Sequence, residues 1–336
     1  AAAEMPGHRV AWWRNGGDDP ITWTRQDIDL VPVACSVDAA DVNNDGRTDV
    51  LSVSWRFGTV AWWENSGTDP IEWTQRTIDH ELDGAHSVRA VDVDRDGRVD
   101  VVAAGGIGDE IAWWRNEGGV LPTWSRQTIC PDCAGARHAE VADLDGDGRE
   151  DVVGGAFNHR LSWWRNLGGE PLAWSEQPID TEFRGLHYVH VTDFDGDGDF
   201  DLITAQSSSD EVLWYANEGG EPLQWTRHPI RSGFTSAATV VTADLDGDGA
   251  QEAVGSSIGL GLFSWWDVLE FVPDGELASS VLEGRPEAHW DTISWDARIP
   301  FGTNLDVDVR AADEIAELGA WVSVPHSSAD LGALVD

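Results

Sequence analysis

Lysine is absent from the 336 residues, and the chain has only three cysteines, one methionine and two tyrosines. Its 21 basic residues other than histidine are therefore all arginine, and 61 acidic residues bring the formal net charge to −40. A surface this acidic repels nucleic acid and anionic membranes, so neither is an expected partner. The chain also lacks an apolar run of about eighteen residues, so no membrane insertion is expected.

The three cysteines include one close pair. Cys130 and Cys133 have the C-x-x-C spacing of redox and zinc sites, but no βαβ pattern surrounds them and no second pair is present. We therefore expect a local disulfide formed in an oxidising compartment, with Cys35 left over.

Five acidic loops recur at a period of 50 or 51 residues. Each has acidic or amide side chains at its first, third, fifth and ninth positions and glycine at its sixth. The loops are 41–49, 92–100, 143–151, 193–201 and 244–252. A fixed period of this length is typical of a repeat architecture.

An aromatic pair, usually Trp-Trp, follows each loop, and a sixth pair, Trp12 and Trp13, opens the chain without a loop before it. Each unit contains four short strands, which in the third unit are predicted at 136–142, 151–156, 160–165 and 173–179. No segment of the repeats shows a sustained helical period. The sequence predicts an all-β fold, a β-propeller of four-stranded blades, with six blades expected and seven possible.

The loops have the oxygen-rich pattern of a calcium site. Hard oxygen ligands at alternating positions can surround one cation, glycine permits the sharp turn, and the seventh residue can offer its backbone carbonyl. No histidine or cysteine lies in the loops, which argues against zinc or copper. We expect about five structural Ca²⁺ ions, because binding energy in such a turn becomes folding energy. The predicted metal positions are Asp41, Asn43, Asp45, Arg47, Asp49, Asp92, Asp94, Asp96, Arg98, Asp100, Asp143, Asp145, Asp147, Arg149, Asp151, Asp193, Asp195, Asp197, Asp199, Asp201, Asp244, Asp246, Asp248, Ala250 and Glu252.

The acidic loop followed by Trp-Trp-Glu/Arg-Asn resembles the FG-GAP/VCBS repeat proteins, best known from the integrin alpha-chain propellers. The resemblance covers about residues 8–283. It implies a six- or seven-bladed propeller, calcium on one face and an extracellular setting, so a secreted or cell-surface location is expected. The family includes adhesion modules, lectins and some enzyme domains, and membership therefore does not fix the function.

Two domains are expected, a propeller at 1–283 and a C-terminal β-hairpin region at 284–336. In the second, 290–295 and 305–310 alternate like the two strands of a hairpin. They form either a shortened β-sandwich module or strands that complete the first blade.

Most tryptophans fall on repeating positions, which indicates packing between blades rather than ligand contact. Candidates for a ligand site are positions whose polar residue differs from unit to unit, because the scaffold does not require them. They lie in the first half of the innermost strand and in the adjoining turns, at the expected channel mouth opposite the acidic loops. These candidates are Asp38, Trp55, Arg56, His86, Arg89, Arg137, His138, Glu140, His159, His187, Tyr188 and His190. The alternative is a polar, water-filled channel.

The leading hypothesis is a binding module, rather than an enzyme, for carbohydrate or a protein partner. No Gly-x-Ser-x-Gly motif, phosphate loop or catalytic zinc signature contradicts it. The alternative is a polysaccharide lyase, in which arginine would neutralise a uronate carboxylate and histidine or tyrosine would move the proton. Its candidate catalytic residues are Arg89, His138, His187, Tyr188 and His190. A third hypothesis is a structural segment of a larger cell-surface protein.

Overall fold

The computed structural model describes residues 2–4, 9–17, 20–157, 160–247 and 249–268, together with four short strands further along the chain. The chain forms two compact units, Ala1–Leu269 and Glu270–Asp336. The predicted boundary between residues 283 and 284 lies outside the described residues. No helix in the described part is long and apolar enough to cross a membrane.

The first unit is an all-β propeller built from antiparallel sheets in which strands pair in chain order. We label the strands of one blade A to D along the chain. Strand A of each blade lies beside strand A of the next, which makes it the innermost strand. The four complete blades contain β4 (Ala34–Ala40), β5 (Asp49–Ser54), β6 (Thr59–Asn65) and β7 (Trp73–Asp79); β8 (Ala85–Val91), β9 (Asp100–Gly105), β10 (Glu110–Asn116) and β11 (Trp124–Cys130); β12 (Ala139–Ala142), β13 (Asp151–Ala156), β14 (Arg160–Asn166) and β15 (Trp174–Asp180); and β16 (Leu186–Thr192), β17 (Asp201–Gln206), β18 (Glu211–Asn217) and β19 (Trp225–Ser232).

The expectation of six or seven blades is wrong, because the described residues form five blades, each with one acidic loop between its strands A and B. Within the described residues the fifth blade has three strands, β20 (Ala237–Ala243), β21 (Glu252–Ser257) and β22 (Leu262–Trp266). The N-terminal aromatic pair belongs to a separate three-stranded sheet of β1 (Ala2–Glu4), β2 (Arg9–Asn15) and β3 (Trp23–Leu30). An aromatic pair without an A–B loop therefore does not mark a blade of the four-stranded kind.

In the four complete blades the aromatic pairs fill the spaces between blades, as predicted. Trp113 packs against Val152 and Trp164 of the following blade. Trp114, its neighbour in the chain, packs against Val53 and Trp62 of the preceding one. Adjacent residues of a strand point to opposite faces, so one pair serves two interfaces.

A hydrogen bond that the sequence analysis missed ties the blades together at these pairs. The indole Nε1 of Trp114 donates to Oδ2 of Asp79, at the end of the preceding blade's outermost strand, over 2.9 Å. The hydroxyl of Tyr215 donates to Asp180 in the same way over 2.8 Å. Cys130 occupies the equivalent strand position one blade earlier and forms the expected disulfide with Cys133, with a Cα–Cα distance of 5.8 Å.

The described strands of the second unit pair with one another. β23 (Thr292–Ser294) pairs with β26 (Ser328–Asp330), and β24 (Val307–Val309) pairs with β25 (Val322–Val324). The two segments expected to form a hairpin with each other are thus each paired with a strand further along the chain.

Candidate functional site

Each acidic loop is a tight A–B turn organised by its own carboxylates. Asp92, at the first position of the second loop, accepts hydrogen bonds from the backbone N–H groups of Asp96 at 3.0 Å and Gly97 at 2.9 Å. Gly97 has a φ of 84°, a conformation that glycine adopts without strain and that the other four loops repeat at the same position. The glycine predicted from sequence is therefore required by the backbone.

The ninth position of each loop is a buried acid, and in the first four loops it fastens the loop to strand C. Asp151 accepts the backbone N–H of Asn166 at 2.7 Å and that of Leu144 at 3.2 Å. Asp100 makes the same two contacts, with Asn116 and Val93. Burial raises the pKa of both carboxyls to about 7, although the backbone N–H groups oppose the shift. Each of these two acids therefore pins two backbone segments, the loop itself and the end of strand C.

Four loops bring three carboxylate oxygens within 4.8 Å of one another. The sets of converging acids are Asp92, Asp94 and Asp96; Asp143, Asp145 and Asp151; Asp193, Asp195 and Asp197; and Asp244, Asp246 and Glu252. The donors are all oxygen, which suits a hard divalent cation, and several of these clusters could hold a metal ion. The first loop has Asn43 in place of an aspartate, and Asp248 of the fifth loop lies outside the described residues. The backbone-carbonyl role of the seventh position stays a prediction.

Arginine side chains reach into the second and third loops and pair with their carboxylates. In the second loop Arg98 contacts Asp96, and Arg115 of strand C lies 2.6 Å from Asp94 through its Nε. The third loop repeats both contacts, Arg149 with Asp147 and Arg165 with Asp145, the latter at 2.5 Å. The first loop has the first kind of pair, between Arg47 and Asp45.

The fourth and fifth loops lack these arginines. In the fourth loop Asp199 and Ala216 occupy the positions of Arg98 and Arg115, and in the fifth loop the seventh residue is Ala250. Within the described residues no ion pair with arginine reaches the carboxylates of loop 193–201. We call loops 92–100 and 143–151 the paired loops, and loop 193–201 the bare loop. An alignment of the repeats could have found this difference, because it lies at two fixed positions: the seventh residue of the loop and the residue after the aromatic pair.

At the other end of strand A, β-bulges set out a ring of side chains. The A–B register shifts at Cys35, His86, His187 and Ala238, each of which is skipped in the pairing between its neighbours. A bulge leaves one residue unpaired and re-aims its side chain. Arg137 stands at the same repeat position just before β12. We call these five residues the bulge ring; three of them were among the predicted ligand-binding residues.

Deeper along strand A, four predicted residues form one connected cluster. Arg89 donates from Nε to Glu140 at 2.7 Å, and its Nη2 lies 3.1 Å from Nε2 of His138 and 3.3 Å from the hydroxyl of Tyr188. The rings of His138 and Tyr188 stack with centroids 3.8 Å apart. His138 is buried, and burial together with the Arg89 charge lowers its pKa well below the usual range. Each of these four side chains thus contacts another member of the cluster.

Other predicted residues on strand A tie one blade to the next. Asp38 accepts the backbone N–H of Ala90 at 2.9 Å, and the Nδ1 of His187 lies 2.7 Å from the carbonyl oxygen of Ala238. The Nε2 of His190 is 3.4 Å from the hydroxyl of Thr242. Of the predicted turn residues, Trp55 is 39% exposed, and the Arg56 guanidinium lies 5.9 Å from the Phe57 ring centroid. His159 lies outside the described residues.

The FG-GAP-like repeat profile matches four overlapping stretches, residues 41–103, 92–154, 143–204 and 193–254. Each stretch begins at the first aspartate of one acidic loop and runs beyond the next loop. The chain belongs to the FG-GAP-like repeat family. Its acidic loops, aromatic pairs and strand order are thus features of an FG-GAP-like repeat propeller, as the sequence resemblance implied.

Two solved structures are among those similar to this FG-GAP-like repeat chain. One is an Agrocybe aegerita lectin, described as recognising non-reducing terminal N-acetylglucosamine, at 20% identity and a TM-score of 0.47, covering 79% of this chain and 78% of the lectin. Another is virginiamycin B lyase from Staphylococcus aureus, at 10% identity and a TM-score of 0.43, covering 70% of each chain. The chain matches no curated protein sequence. Its function must therefore be argued from its own residues.

The chemistry open to the strand A residues of this FG-GAP-like repeat propeller is limited by burial. Burial raises the pKa of Tyr188 above its usual range, which disfavours the phenolate that a base would need. Burial lowers the pKa values of His187 and His190, and that of His86 falls to about 4. These shifts favour neutral imidazoles and a protonated Tyr188 near pH 7.

Proposed function

We propose that this propeller is a carbohydrate-binding module that acts through the mouth of its central channel, at a secreted or cell-surface location. The observation that carries the proposal is the bulge ring, in which unlike side chains stand at one repeat position of the inner strands. Packing of the repeated blades does not require a different side chain at this position in each blade. The half-exposed indole of Trp55, in the turn after β5, adds an apolar face of the kind on which a sugar ring can stack.

The deeper cluster around Arg89 is better suited to stabilising the inner strands than to contacting a ligand. Arg89 and Glu140 satisfy each other, with side chains only 19% and 13% exposed, and His138 is 4% exposed. Removing one partner of such a buried pair typically costs about 3–5 kcal/mol, which makes the cluster part of the scaffold. The ligand contacts are therefore assigned to the bulge ring and to the turns beside it. The disulfide in the same half of the blade fits an oxidising compartment.

The acidic loops are proposed to hold structural Ca²⁺ at the opposite ends of strands A. When bound, the ion supplies positive charge to carboxylates that otherwise repel one another. The ring of inner strands would then present the mouth on a stiff frame, because the first four loops also anchor strand C of their blades. Calcium is thus assigned to the stability of the frame and not to ligand contact.

A glycan array probed with the full calcium-loaded chain tests the proposal. We expect binding to a restricted set of glycans, and at least a tenfold loss of affinity for Trp55→Ala. Trp23→Ala is the matched control, because Trp23 is 60% exposed on β3 outside the mouth and its loss should leave affinity unchanged. Absence of glycan binding, or an equal loss in both variants, would overturn the carbohydrate assignment. Turnover of an acidic polysaccharide to unsaturated products would favour the lyase instead.

A further inference from the structure

Partly buried arginine in this protein is paired with a carboxylate almost everywhere. Nine half-buried arginines in the described residues form ion pairs with aspartate or glutamate: Arg9, Arg47, Arg76, Arg89, Arg98, Arg115, Arg149, Arg160 and Arg165. Arg137 is also half-buried, yet within the described residues it has no carboxylate within ion-pair distance. In a chain with 61 acidic residues and a net charge of −40, this absence singles the residue out.

The surroundings of Arg137 hold its charge in place without neutralising it. Its guanidinium carbon lies 4.8 Å from the ring centroid of Phe157, a residue of the following B–C turn. His86 and His187 occupy the same repeat position on the two neighbouring inner strands, and the Arg137 charge helps to lower the pKa of each below its usual range. Burial also lowers the pKa of Arg137 itself. The bulge ring therefore has a single positive charge, partly desolvated, between neutral imidazoles.

We propose that Arg137 binds the carboxylate of a single acidic sugar residue at the channel mouth. A planar guanidinium held over an aromatic ring can present its N–H groups to a carboxylate in a bidentate pair. The ligand should have one carboxylate at a chain end, because a net charge of −40 repels a polyanionic chain. This inference rests on the proposed carbohydrate function and narrows its ligand to a terminal uronate-like sugar.

The test uses two sugars that differ only at C6, methyl glucuronide with a carboxylate and methyl glucoside with a hydroxymethyl group, titrated into the full calcium-loaded chain by calorimetry. We expect the glucuronide to bind about 10- to 100-fold more tightly, the range for a hydrogen bond to a charged group. Arg137→Gln should abolish the difference, and Arg137→Lys should retain only part of it. Arg231→Gln is the control, because Arg231 is an exposed arginine at the end of β19 and should leave the preference intact.

The outcomes separate this inference from the proposed function. Equal binding of the two sugars would overturn the acidic-sugar assignment while leaving carbohydrate binding in place. Binding of neither sugar, with glycan-array hits that are all neutral, would overturn it as well. An array without any hits would instead remove the proposed function. Preference for an acidic peptide or inorganic phosphate over the glucuronide would also contradict the inference. If Arg137→Gln fails to fold, the comparison of the two sugars on the unmodified chain still decides.

Discussion

The paired loops and the bare loop have the same backbone but balance their charge differently. In loop 143–151 four aspartates and Glu150 are accompanied by Arg149 and Arg165, so the formal charge is −5 + 2 = −3. Loop 193–201 has five aspartates and no arginine partner in the described residues, so it remains at −5. Two loops with one fold thus differ in how far they need an added cation. The difference shows that a repeated motif can be conserved in shape while its electrostatics change from blade to blade.

The largest expected effect comes from the buried acid at the ninth position, which the two kinds of loop share. Asp151→Ala in a paired loop and Asp201→Ala in the bare loop should each lower the free energy of unfolding by about 3–5 kcal/mol, because two buried backbone N–H groups lose their acceptor. The contacts are alike, 2.7 and 3.2 Å for Asp151 and 2.8 and 3.1 Å for Asp201. Chemical denaturation at matched calcium concentration gives the comparison.

Asparagine variants at the same two positions are the control, since one oxygen acceptor remains and the loss should be smaller. The structural role of the ninth position rests on buried hydrogen bonds that nothing replaces in the alanine variants. A loss of unfolding free energy below about 1 kcal/mol in either alanine variant would contradict that role.

Substitution of the aspartate at the third position should change the stability in opposite directions in the two kinds of loop. In calcium-free buffer Asp145→Asn should destabilise by about 1–2 kcal/mol, because Arg165 loses the carboxylate at 2.5 Å and keeps Glu221 at 2.9 Å and Asp147 at 3.7 Å. Asp195→Asn should stabilise by roughly 0.5–1 kcal/mol, because a repelling carboxylate is removed. Asparagine keeps the side-chain oxygen that accepts the backbone N–H two residues on, in both loops. Thermal unfolding in chelator measures both, and equal signs would show that the arginine pairs do not matter.

The predicted and observed blades agree where local patterns decide the structure. In the third unit strands B and C were expected at 151–156 and 160–165, and β13 and β14 lie at Asp151–Ala156 and Arg160–Asn166. Strand A was expected from residue 136, yet its ladder begins at Ala139. Alternation of small and β-branched residues identifies a strand but does not show where pairing stops.

The bulge ring and the arginine pairs could not be predicted in this detail. A bulge adds one residue without changing composition, so the sequence around His86 or His187 resembles a regular strand. Arg115 and Asp94 are brought together only when strand C folds back beside the A–B loop. The repeat alignment was enough to group Arg89, His138, Glu140 and Tyr188. The hydrogen bonds among them depend on distances, which an alignment does not give.

A smaller effect is expected from transferring a paired-loop feature to the bare loop. Asp199→Arg places arginine where Arg98 and Arg149 stand in the paired loops, within reach of Asp197. In calcium-free buffer it should stabilise the chain by about 0.5–1 kcal/mol, the range of a favourable surface ion pair after removal of a like charge. Asp199→Ala is the control, since it removes the charge without adding a partner. If the arginine variant is no more stable than the alanine variant, the contact with Asp197 contributes nothing.

Hydrogen–deuterium exchange of the full chain, with calcium and with chelator, tests the central comparison most directly. We predict that chelation raises deuterium uptake strongly in the bare loop 193–201, and only weakly in the paired loops 92–100 and 143–151. The reason is that arginine already neutralises part of the charge in the paired loops. Unchanged uptake in all three loops, or a larger rise in the paired loops, would contradict the account.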